Sequence, residues 1–132
     1  MQANELRIGN WVLHRGKYVQ VNANTILAIV NGSEHYTPIP LTPEILEQCE
    51  IGENNPKLNY KDSDTPFYTL YITNSVYLIF CVKKLKLTLH ATYLGAVPVN
   101  LDHITSLHQL QNFIYFTFNT ELQWNRKTNL SR

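Results

Sequence analysis

Apolar and polar positions alternate in short stretches over the N-terminal part of the chain. Trp11-Val12-Leu13 leads into an Arg15-Gly16 turn, Tyr18-Val19-Gln20-Val21 alternates with period two, and Thr25 to Val30 is a β-branched run ending at Asn31-Gly32. Alternation bounded by turn residues predicts three short antiparallel strands here. Further along, Phe67 to Thr73 and Val76 to Val82 predict two strands joined at Asn74-Ser75. Leu85, Leu87 and Leu89 alternate with Lys84, Lys86, Thr88 and His90, which predicts a strand with one buried and one wet face. Tyr93 to Val99 predicts one more.

Two segments carry the longer helical period. Leu41-Thr42-Pro43-Glu44 has a helix-start pattern, with Thr42 as N-cap, proline at the first helical position and acid in the first turn. It predicts a short helix from Pro43 to about Cys49, with Ile45 and Leu46 inward and Glu44, Glu47 and Glu50 outward. Ser106 with Gln109 forms a capping-box pattern, and Leu107, Leu110, Ile114 and Phe118 form one stripe, predicting a helix from about Thr105 to Phe118. Gly52 to Pro66, rich in Asn, Asp, Lys and Pro, predicts a long surface loop. The predicted architecture is a β-rich α+β domain over residues 1–123 with a frayed tail over 124–132. It has an N-terminal SH3-like antiparallel meander, a second antiparallel sheet region, a short central helix and one C-terminal helix packed on the sheet. The SH3 likeness concerns shape alone.

Composition narrows the class. A chain of 132 residues that is 44% apolar can bury a core without disulfide or metal staples. A net charge of +1 gives no electrostatic reason for strong nonspecific binding to DNA or membrane, so a nucleic-acid partner is disfavoured. Met1-Gln2-Ala3-Asn4-Glu5 lacks the basic-then-apolar pattern of a secretory signal. The longest apolar run, Val76 to Val82, is seven residues, against the roughly 20 a membrane helix needs. Cys49 and Cys81 belong to no CxxC pair or zinc spacing, and read as free thiols in a reducing cytoplasm.

Signatures of catalysis are missing. The sequence contains no GxGxxG, P-loop, HExxH or GxSxG, so a non-catalytic protein without cofactor or metal is expected. Asp62-Ser63-Asp64 offers oxygen ligands for magnesium, or simply a solvated turn. The five histidines His14, His35, His90, His103 and His108 are scattered and read as surface or edge residues. Glu34 and His35 are adjacent, so on an extended chain they point in opposite directions. Acids outnumber bases between residues 44 and 64, whereas Lys83, Lys84 and Lys86 form a basic edge. That edge fits phosphate contact or protection of an exposed strand.

The predicted C-terminal helix carries the most informative pattern. His108, Gln111, Asn112 and Tyr115 fall at i, i+3, i+4 and i+7, an uncharged polar stripe in a stretch with no charge between His103 and Phe118. Exposed helix faces usually favour Glu, Lys and Arg, so this one is expected to be partly covered. Covered amides and imidazoles need partners, supplied either by neighbouring protein groups or by a bound ligand.

Three blocks, Asn4-Glu5-Leu6-Arg7-Ile8-Gly9-Asn10-Trp11-Val12, Pro38-Ile39-Pro40-Leu41-Thr42-Pro43-Glu44-Ile45-Leu46 and Leu107 to Phe113, resemble a family of small, mostly uncharacterised proteins of bacteriophages and mobile elements. Its members usually place Thr-Gly before a closing Glu-Leu, where this chain has Asn119-Thr120 before Glu121-Leu122. The resemblance implies a phage-related, intracellular setting and brings no reaction. In that setting the expected function is non-catalytic counteraction of host defence, by sequestering a small nucleotide-type immune signal in the host cytoplasm. Direct inhibition of a host defence protein, or an SH3-like nucleic-acid-binding module, are the alternatives. A base can stack on rings such as Trp11, Tyr18 or Tyr36 while Asn and Gln read its edge. The candidate ligand-binding residues are therefore Arg7, Trp11, His108, Gln111, Asn112 and Tyr115. A homo-oligomer is expected, because so small a domain has little room for a deep pocket.

Overall fold

The computed structural model describes residues 1–51, 60–61, 67–73, 75–81, 86–92 and 97–125. It is a mixed α+β fold with a β-rich core. A 3-10 turn over Ala3–Glu5 precedes a hairpin of β1 (Trp11–His14) and β2 (Lys17–Gln20), which pair antiparallel from Trp11↔Gln20 to His14↔Lys17. The two loop residues both have positive φ, 53° at Arg15 and 78° at Gly16. That is the type I′ geometry whose twist matches the strands.

The run expected to form a third strand of the meander is instead helix α1 (Ala23–Val30). Local capping decides this. Asn22 Oδ1 accepts from Thr25 N at 3.0 Å, while Asn22 N donates back to Thr25 Oγ1 at 3.3 Å. At the other end Gly32 has φ 69°, so Asn31-Gly32 is a helix stop and not a hairpin turn. The N-terminal region is thus a two-stranded hairpin followed by a helix.

Helix α2 (Pro43–Glu47) starts as expected, with Thr42 Oγ1 accepting from Ile45 N at 3.2 Å, but it ends before Cys49. Cys49 opens β3 (Cys49–Ile51), which pairs antiparallel with β9 (Leu122–Trp124). The expectation of fraying from Trp124 onward is therefore corrected at its first residues. Trp124 pairs with Cys49 and is 7% exposed, its Nε1 donates to Gln48 Oε1 at 2.9 Å, and Asn125 N donates to Gln48 O. A tryptophan ending so short a strand has no period to reveal it. Only the antiparallel partner does.

The larger sheet has the order β4-β5-β6-β7-β8: Tyr60–Lys61, Phe67–Tyr71, Val76–Cys81, Lys86–Ala91 and Val99–Asn100, each antiparallel to its neighbour. Tyr60–Lys61 interrupts the expected 52–66 loop, whose other residues lie outside the described set. The strand expected over Tyr93 to Val99 is represented by Val99–Asn100, since 93–96 also lie outside it. Helix α3 (Leu107–Phe118) begins at N-cap Ser106, whose N–H donates to Gln109 Oε1 at 3.1 Å. It stops where Asn119 adopts the left-handed conformation, φ 52°. Asn is one of the few side chains that tolerate this state.

Leu70, Leu78, Phe80 and Leu87 from the larger sheet pack with Ile45 and Leu46 of α2, Leu107, Leu110 and Ile114 of α3, and Trp124. Each fully buried side chain of this size contributes about 1.5–3 kcal/mol relative to exposure. The extended segment before α2 anchors the start of α3, with Leu107 N donating to Ile39 O at 2.8 Å and Leu41 N to Thr105 O at 3.1 Å. This holds the polar stripe of α3 against the N-terminal segment.

Candidate functional site

The polar stripe of α3 interlocks with residues 5–11. Asn10 is fully buried, and its Nδ2 donates to Asn112 Oδ1 at 2.9 Å, while Asn112 Nδ2 donates to Glu5 O at 2.9 Å. Gln111, 1% exposed, accepts from Trp11 N at 2.9 Å and donates to Gly9 O at 3.2 Å. Both amides thus have partners within the protein itself.

Arg7 and Tyr115 also meet. The guanidinium carbon lies 4.1 Å from the Tyr115 ring centroid, and the fork binds Glu121 through Nη1 to Oε2 at 3.0 Å and Nη2 to Oε1 at 3.1 Å. Such a two-point pair satisfies much of the charge and geometry of both groups. Trp11 instead joins an aromatic cluster, with ring centroids 5.3 Å from Trp124, which lies 5.0 Å from Tyr18. Tyr36 stacks on His14 at 4.5 Å.

His108 differs from the rest of the stripe. It is 1% exposed, so the expectation of a surface or edge histidine is corrected at this position. Its Nδ1 lies 3.2 Å from Ser106 Oγ, but Nε2 has no hydrogen-bond partner among the described residues. The nearest anion is the Glu5 carboxylate, whose Oε1 stands 4.0 Å away. Burial pushes the imidazole below its ordinary pKa, opposed by the Glu5 charge and assisted by the N-terminal amino group. The ring is therefore neutral near pH 7.

The two groups border a groove of about 420 Å³ between the N-terminal turn and α3, lined also by His103, Asn112, Phe113 and Phe116. That volume lies within the roughly 300–1,000 Å³ of small-molecule sites. Phe116 is 74% exposed and offers a free aromatic surface at its edge. Of the six sequence candidates, His108 and Asn112 border this groove, whereas Arg7, Trp11, Gln111 and Tyr115 are absent from its lining. Glu5 and Phe116 were not singled out. Glu5 lies in the first family-like block, but nothing in the local pattern distinguishes it from a turn residue.

Other charged groups are paired elsewhere. Glu34 lies 3.0 Å from His14 Nε2 and 3.3 Å from Arg15 Nη2, so its partner is the histidine of β1 and not the adjacent His35. The hydrogen bond with His14, reinforced by Arg15, holds the Glu34 carboxyl below the usual range. Lys86 lies 3.7 Å from Asp102, while Lys83, Lys84 and Asp62-Ser63-Asp64 fall outside the described residues. Cys49 and Cys81 are not joined in a disulfide, Cys49 Sγ donates to Ile45 O at 3.2 Å, and burial pushes the Cys49 thiol up. Among the described residues no group of three or more His, Cys, Asp or Glu is placed to hold a metal ion, and no helix is long and apolar enough to cross a membrane.

No known protein family, curated protein or solved structure matches this chain.

Proposed function

We propose that this protein is a non-catalytic binder that takes a small nucleotide-type ligand, base inward, into the groove between the N-terminal turn and α3. The observation that carries this reading is His108, which borders the groove and whose buried Nε2 lacks a hydrogen-bond partner among the described residues. A buried polar atom left unpaired costs about 1–3 kcal/mol, and a ligand that hydrogen-bonds it recovers that cost. Phe116 supplies an aromatic face for a planar ring. Arg7 is already paired with Glu121 and the groove contains the Glu5 carboxylate, so sugar and phosphate point to solvent.

The resemblance to phage and mobile-element proteins supplies the setting. In the host cytoplasm, stoichiometric capture of a nucleotide immune signal counteracts defence without chemistry. A second reading, direct docking onto a host defence protein, is favoured by the exposed apolar side chains Phe116, Val97 and Val99, which are 74%, 79% and 51% exposed. Native mass spectrometry of protein purified from infected, defence-active cells separates the two. A retained nucleotide supports capture, a retained host protein transfers the function to docking, and the same spectra report whether the protein is a homo-oligomer. Failure to retain or bind any nucleotide or nucleoside overturns the first reading.

A further inference from the structure

We propose that a second cavity, bordered by the β1–β2 hairpin and α2, is a cage for a methylated ammonium group. It shares no lining residue with the groove beside α3 and stands independently of the reading given to that groove.

The cavity encloses about 260 Å³, room for a small headgroup, and its lining includes Leu13, Tyr18, Pro40, Glu44, Ile45 and Trp124. Tyr18 and Trp124 supply aromatic walls, their rings set at 84° with centroids 5.0 Å apart. Trp124 is the buried wall, and its orientation is locked by the bond from Nε1 to Gln48 Oε1 and by the edge contact with Trp11. Tyr18, 41% exposed, is the outer one. Ring faces attract cations, and two rings set at right angles can both face one charge.

Charge selects the sign of the ligand. Among the described residues that line the cavity, Glu44 is the one charged group. The chain around it leans the same way, since no Lys or Arg occurs between Lys17 and Lys57 whereas Glu34, Glu44, Glu47, Glu50 and Glu53 do. Such a field draws a cation in and repels phosphate.

Hydration selects the kind of cation. A primary ammonium brings three N–H donors, each of which needs an acceptor once water is removed. Acceptors around this cavity are already engaged: Leu13 O by Thr37 N at 2.9 Å, Ile39 O by Leu107 N at 2.8 Å, Thr42 Oγ1 by Ile45 N at 3.2 Å, and Gln48 Oε1 by Trp124 Nε1 at 2.9 Å. A quaternary ammonium has no N–H to satisfy, and its methyl groups suit the apolar side chains of Leu13, Pro40 and Ile45.

Proton–nitrogen correlation spectra of the full chain test this, with tetramethylammonium chloride and choline chloride titrated in at constant ionic strength. The indole Nε1–H of Trp124 is expected to shift saturably with both and to stay in place with ammonium chloride. The neutral tert-butyl analogue of choline is expected to bind roughly tenfold more weakly than choline, because it fills the same shape without the charge. Glu44→Gln, at an exposed position, is expected to weaken choline several-fold with little change in melting temperature. Tyr18→Phe is expected to keep binding and Tyr18→Leu to lose it, the dispersion of each spectrum showing that the variant folds. Tighter binding of choline than of a trimethyllysine peptide identifies a free small molecule as the source, and the reverse order identifies a modified protein. Equal binding of the neutral analogue or of ammonium, unaltered binding by Glu44→Gln, or no saturable shift with any quaternary ammonium overturns the cage. Binding seen only when Arg126→Ser and Lys127→Ser are introduced together assigns the cage to the chain's own tail and overturns an external ligand.

Discussion

Asn10 Nδ2 donates a 2.9 Å hydrogen bond to Asn112 Oδ1, joining two residues 102 positions apart. The bond fastens the N-terminal segment to α3, and the same amide of Asn112 reaches Glu5 O. It thereby fixes the wall of the groove that holds Glu5 opposite His108. Scaffold and candidate site share a residue.

Asn112→Ala is accordingly expected to destabilise the protein in the absence of any ligand. It leaves the fully buried Asn10 amide without its acceptor, at a cost of about 1–3 kcal/mol. Urea denaturation measures this directly. A midpoint equal to wild type would show that the Asn10–Asn112 bond is not formed in solution.

The buried histidine predicts a pH dependence with a definite sign. Burial lowers the folded pKa of His108 below its ordinary 6.5. Between that depressed value and 6.5 the unfolded chain binds more protons, so stability rises with pH across the window. This contribution is complete above about pH 6.5 and is lost as pH falls toward the folded value. Glu5 and the N-terminal amino group face the same ring, with opposite effects. Thermal melts of wild type and His108→Gln from about pH 5 to pH 7 should diverge in slope, the variant being flatter. Parallel curves would contradict a buried, neutral His108.

Trp124 closes the core from the C-terminal side. Trp124→Ala is expected to cost about 3–5 kcal/mol, the range for removing a buried aromatic side chain. Ending the chain at residue 123 should be as damaging, because the β3–β9 pair loses the Cys49↔Trp124 register. Calorimetry on the two variants tests the point, and a truncation with unchanged melting temperature would return Trp124 to a frayed tail.

The caps that make Ala23–Val30 helical predict a smaller effect. Asn22→Ala removes the acceptor for Thr25 N, with an expected cost of about 1 kcal/mol. Circular dichroism with guanidinium titration reads both helix content and stability. No change in either would indicate that α1 is held by packing alone.

Much of the fold was legible locally. Thr42-Pro43-Glu44 announced α2, Leu107, Leu110 and Ile114 announced α3, and the continuous apolar run around Leu78 with the alternation around Leu87 announced two strands of the larger sheet. These signals are local because helix caps and side-chain periods involve residues within a few positions of one another. The Thr25–Val30 run misled because β-branched residues serve either state, and the asparagines at 22 and 31 read as turns as readily as helix ends.

The site was decided elsewhere. The sequence by itself showed that α3 carries an uncharged polar stripe needing cover and partners. Only the tertiary structure assigned those partners, giving Gln111 and Asn112 to the N-terminal segment, Arg7 to Glu121 and Tyr115, and leaving His108 Nε2 facing Glu5. The physical reason is that a hydrogen bond requires a donor and acceptor about 3 Å apart. Residues from opposite ends of a chain come that close only when the core between them has packed, so no local pattern in the chain records which amide is satisfied and which imidazole is not.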